Sequence, residues 1–157
     1  MTIDELLQEH RIHRQKVAAT DIEALIARAE TDIDSAQFML SRDPAWAFSI
    51  AYNGVLQASR ALMFVHGFRP SSHEGHKNTF AYLRAIVEED RRALIEYFDR
   101  MRVKRHQAVY EAPGRVTRTE AETLIEQARA FIGWVKGNSS SSLEFRNSPK
   151  FWVNGKS

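Results

Sequence analysis

Arg105, His106 and Tyr110 are the residues in this chain best suited to chemistry. An arginine holds phosphate or carboxylate through a planar fork of donors. A histidine next to it can take or give a proton near neutral pH. At 100° per residue, Ile95, Phe98, Arg102, Arg105, His106 and Val109 share one broad helical face. That face is predicted to be buried, and a buried arginine needs a carboxylate, phosphate or carbonyl as partner. Between Asp99 and Arg118 the basic residues Arg100, Arg102, Lys104, Arg105, Arg115 and Arg118 face only Asp99 and Glu111, a local excess of four. Such density suits a phosphate backbone, with Arg100, Arg102, Lys104 and Arg105 as the expected nucleic-acid contacts.

Other chemistries find little support. The chain has no glycine-rich phosphate loop, no histidine-glutamate metal motif and no cysteine. His73 and His76 stand three apart without a cluster of carboxylates, so neither a metal nor a cofactor is expected. Histidine with arginine can still cleave RNA without metal. The base takes the ribose 2′-hydroxyl proton, and the cation stabilises the charge that builds on phosphorus.

The elements that must position these residues are helical. The length, 157 residues, suits one core. Net charge is only +2, so affinity for nucleic acid has to come from a local patch. No apolar run approaches the roughly 20 residues of a membrane span, and a cytoplasmic location is the default expectation. Glycine and proline are scarce and fall mostly between periodic segments, which predicts an all-α chain.

Residues 1 to about 17 read as a short amphipathic helix. Thr20 and Glu23 form a capping-box pattern ahead of a helix ending near Ser41. Asp43-Pro44 opens a third helix, apolar on most sides and therefore central, with Gly67 as its stop. A polar loop covers Phe68 to His76, and a shorter helix covers Asn78 to Glu88. Asp90 caps a fifth helix reaching Glu111. Thr119 and Glu122 form a second capping pattern ahead of a sixth, which Gly137 is expected to end. The predicted architecture is an up-and-down bundle of four long helices plus short accessory ones. Residues 1–137 form its single domain, and residues 138–157 a flexible serine-rich tail. That tail reads either as a cloning remnant or as a native segment docking Phe151 and Trp152.

Four stretches together resemble the HEPN superfamily, over roughly Asp21 to Val135. They are residues 51–63 in the central helix, the loop from Gly67 to His76, the run Arg105-His106-Gln107-Ala108-Val109-Tyr110, and the helix from Ala121 to Val135. The family motif is an arginine, a polar residue, three more residues, then a histidine. Arg105 matches the arginine and His106 the polar position, while Tyr110 stands where active members carry histidine. The resemblance implies a homodimer whose cleft binds RNA or nucleotide, or cleaves RNA without metal as a toxin of a toxin–antitoxin module. It also implies a small nucleotidyltransferase as partner. A neutral phenol is a poor base at pH 7, so ribonuclease activity stays open. A non-catalytic module that pairs with the nucleotidyltransferase is the alternative.

Overall fold

The computed structural model describes residues 1–110 and 113–146. It is an all-α, up-and-down bundle. The long helices are α2 (Ala19–Met39), α3 (Pro44–Val65), α5 (Glu89–Tyr110) and α6 (Arg118–Arg146), and the accessory ones are α1 (Ile3–Gln8) and α4 (Gly75–Ile86). A short 3-10 turn, Pro113–Arg115, precedes α6.

Helix α3 is the axis of the molecule. It packs against α2, α4, α5 and α6, and Phe48, Tyr52, Val55, Leu62 and Met63 on it are fully or almost fully buried. Its start follows the predicted chemistry. Asp43 accepts a hydrogen bond from the Trp46 amide at 3.1 Å, and Pro44 occupies the first turn. Its end does too, since Gly67 takes a φ of +84°, which L side chains resist. Gly54 lets α2 come close: a Cβ there would lie 2.9 Å from Ile33 Cδ1 and 3.3 Å from the Ala29 carbonyl. The core spreads from α3 to Phe98 on α5 and to Leu124, Phe131 and Val135 on α6.

Five expectations are corrected. The first 17 residues are not one helix. Helix α1 stops at Gln8, His10 adopts a left-handed φ of 55°, and residues Ile12–Arg14 form strand β1. This strand pairs antiparallel with β2 (Phe68–Pro70), inside the segment read as a loop, with Ile12 opposite Pro70 and Arg14 opposite Phe68. Ile12 is buried there, which rewards the pairing.

The Thr20–Glu23 box is not used. Helix α2 begins two residues earlier, at Ala19, after Ala18, which gives no side-chain cap. The second box lies two residues upstream of the predicted one. Thr117 Oγ1 accepts from the Glu120 amide, and Glu120 Oε1 accepts from the Thr117 amide, both at 3.1 Å. Finally, α6 continues past Gly137 to Arg146. A glycine inside a helix costs only about 1 kcal/mol relative to alanine, too little to end a helix already held by its buried face. Phe151 and Trp152 lie outside the described residues.

Candidate functional site

Helix α5 carries the predicted site, but its buried face is turned from the predicted one. Ile95, Phe98 and Ala108 are buried and Met101 is half-buried, whereas His106 and Val109 are exposed. The seam therefore runs through Arg105, with His106 on its solvent side. The helix is so rich in charge that few apolar residues set its phase.

Arg105 occupies an unusual position. Its guanidinium carbon sits 5.3 Å from the centroid of the buried Tyr52 ring. Its Nε is buried and has no hydrogen-bond partner among the described residues, although such groups are normally satisfied. Arg105 also forms a wall between two cavities. One, of about 340 Å³, is lined by Glu74, His76, Lys77, Arg102, Arg105, His106 and Tyr110. The other, of about 350 Å³, lies towards α2 and includes Asp32, Trp46, Ser49 and Asn53.

The first cavity is the better candidate. It gathers Arg102, Arg105, His106 and Tyr110, all predicted, in one cleft. The His106 and Tyr110 rings stand 5.0 Å apart, tilted by 45°. Tyr110 is 73% exposed. Lys77 and Glu74 pair at 3.5 Å on the other side of the cleft, both exposed. Glu74 holds a left-handed φ of 52° just before α4 begins.

Two predicted contacts are not part of this cleft. Lys104 turns to Glu120 on α6 and forms an ion pair with it. Arg100 is exposed and does not line the cavity. Arg102 is only partly available, because its Nε donates to Asp99 Oδ1 at 2.8 Å.

Asp99 anchors a network that stiffens the α4–α5 junction. Arg84 on α4 donates to Glu96 at 2.5 Å and to Asp99 at 2.5 Å. The Arg84 hydrogen bond holds the Glu96 carboxyl below the usual carboxylate range. Burial pushes Asp99 up, but hydrogen bonds from Arg102 and Arg84 outweigh it and the net shift is downward. Both carboxyls thus keep their charge to lower pH in the folded chain than in the unfolded one. Their contribution is present above the ordinary carboxylate range and disappears as pH falls through the depressed folded values. Asp99→Asn should therefore flatten the loss of stability between about pH 5 and pH 2. Urea midpoints measured across that range check this.

His76 was not among the predicted site residues. It is half-buried in the cleft, with Nδ1 3.2 Å from the Tyr52 hydroxyl and its ring 5.8 Å from that of Tyr52. Burial, then the charges of Arg60, Arg105 and Arg102, hold its pKa below the ordinary histidine value. Tyr52 is raised by its own burial. One sequence signal pointed this way: a tyrosine on the central apolar helix needs a partner for its hydroxyl.

Chemically, the cleft offers a partly exposed guanidinium with spare donors, a second arginine and two imidazoles. It suits an anion with several oxygens. Among the described residues no helix is long and apolar enough to cross a membrane. A sequence model of the HEPN domain family matches residues 22–138, which contain the whole cleft. No curated protein matches the chain.

Proposed function

Because the chain belongs to the HEPN domain family, we propose that it is a homodimeric, cytoplasmic protein that binds RNA or nucleotide through the phosphate group. The observation that carries this reading is Arg105: a guanidinium in an open cleft, held over Tyr52, with a buried Nε that lacks a partner among the described residues. A phosphate brings the oxygens such a group needs, and arginine binds phosphate with two parallel bonds. Arg102 and His106 extend the contact.

Val103, His106 and Tyr110 form an exposed stripe beside the cleft, at i, i+3 and i+7. A second copy packed on that stripe would bring two Arg105–His106 pairs together. Within such a dimer His106 is the available base for a ribose 2′-hydroxyl. The freed oxygen would attack the adjacent phosphorus to close a 2′,3′-cyclic phosphate, the P–O5′ bond would break with the leaving oxygen protonated by water, and Arg105 would stabilise the charge passing through phosphorus. Activity of this kind would make the protein a metal-independent ribonuclease toxin.

The same stripe favours a second reading. Val103 and Tyr110 are 48% and 73% exposed, and exposed apolar groups beside a polar site suit a protein contact. On that reading the chain is a non-catalytic module that docks a small nucleotidyltransferase.

Fluorescence anisotropy with a labelled single-stranded RNA separates these. Binding should be measurable at 50 mM salt and weaken steeply by 200 mM, because phosphate contacts release counterions. RNA left uncut in EDTA assigns the protein to binding alone, whereas cleavage assigns the ribonuclease role. Absence of binding at low salt rejects the phosphate reading and leaves the docking module.

A further inference from the structure

Tyr52 touches the cleft in two ways. Its ring face lies under the Arg105 guanidinium at 5.3 Å, and its hydroxyl meets His76 Nδ1 at 3.2 Å. The residue has no exposed surface. A buried phenol O–H has to donate to something. Among the described residues, His76 Nδ1 is the hydroxyl's one hydrogen-bond partner. If the O–H donates there, Nδ1 carries the lone pair and the proton sits on Nε2.

His76 lines the cleft together with Arg102 and Arg105. Burial and the neighbouring arginine charges favour its neutral form. A neutral imidazole still has one donor, and the Tyr52 bond assigns that donor to Nε2.

The geometry points to a composite phosphate site in which Tyr52 orients two donors from two helices: the Nε2–H of His76 on α4 and the guanidinium of Arg105 on α5. His76 would bind as an uncharged donor, not as a base. Tyr52 is a positioning residue that touches no ligand. The site takes one phosphate group, either a free nucleotide's or one from an RNA backbone. It rests on the reading of Arg105 as the phosphate-binding residue.

The two donors leave different signatures. A charged contact contributes to the salt dependence of binding, and a neutral one does not. His76→Ala should weaken binding of single-stranded RNA by about 3- to 10-fold with the salt slope unchanged. His76→Gln, which keeps an N–H donor, should restore most of it. Adenosine monophosphate in place of RNA distinguishes the two ligand sources: equal losses for both mark the shared phosphate site, and a loss confined to RNA marks a backbone contact. Long-range proton–nitrogen correlation spectra at pH 7.5 should show His76 as the Nε2–H tautomer. Tyr52→Phe keeps the ring under Arg105 and should release that tautomer preference.

A wild-type His76 protonated on Nδ1, or on both nitrogens, overturns the proposal. So does His76→Ala with wild-type affinity while Arg105→Ala fails to bind, and that pattern leaves the role of Arg105 standing. Wild-type binding by Arg105→Ala brings down the phosphate reading and this proposal with it.

Discussion

Arg105→Ala is expected to lower affinity for single-stranded RNA by roughly 10- to 100-fold, the range for loss of a hydrogen-bonded charge. The slope of log affinity against log salt should become shallower by about 0.7, one phosphate contact on a single strand. Stability should change far less. Among the described residues no carboxylate pairs with Arg105, and its buried Nε is unsatisfied. Removing it relieves a desolvated donor and forfeits a cation–π contact with Tyr52, two effects of similar size and opposite sign. Thermal unfolding within about 1 kcal/mol of wild type, together with lost binding, marks a residue kept for its ligand. Arg105→Lys should fall between, because a point charge replaces the planar fork. Anisotropy titrations at three salt concentrations and a thermal scan check all of this. A variant that unfolds early but binds normally would make Arg105 a structural residue.

Phe98→Ala should have the largest effect on stability. Phe98 has no exposed surface and meets Phe131 of α6 edge-on, with centroids 5.2 Å apart. Truncating such a ring removes its burial and leaves a cavity, at a cost of about 3–5 kcal/mol. For a chain of this size that corresponds to a fall in melting temperature of about 10 °C. Phe98 also lies two turns before Arg105 on the same side of α5, so it helps set where the guanidinium stands. Binding should weaken even at temperatures where the variant is folded. Val103→Ala is the matching control, because Val103 is 48% exposed and its loss should cost under about 0.5 kcal/mol. A melting temperature for Phe98→Ala within 2 °C of wild type, a bound set by that scaling, would show that α5 is held mainly by other contacts.

The bundle was legible because its signals are local. Asp43-Pro44 marks a helix start, and a segment apolar on every side, such as α3, has to be central. The α5 face was harder. Arg102 and His106 drew the predicted stripe one position off the true seam through Met101, Arg105 and Ala108. In a helix with so few apolar residues, a shift of that size costs the pattern little. What sequence could not supply was pairing between distant segments. Strand β1 exists because β2 lies beside it, and His76 belongs to the cleft because Tyr52 lies beneath it. Lys104 failed to join the cleft for the same reason, since Glu120 reaches it from another helix. The capping boxes misled differently: two overlapping Thr-x-x-Glu patterns precede α6 and the earlier one is used, whereas the one at the start of α2 is not used.

The pairing of Ile12 with Pro70 also joins two segments that α2 and α3 separate in the chain. During synthesis β1 precedes β2, and α2 and α3 are made between them. Ile12 has to stay out of solvent-driven association throughout that interval, and the basic residues Arg11, His13 and Arg14 around it serve as gatekeepers against sticking. Once β2 appears, the ladder closes, and Arg11 Nε donates to Asn78 Oδ1 at 2.8 Å at the start of α4. Strand β1 is thus made well before it can pair, and the neighbouring Arg11 ties it to the helix that carries His76.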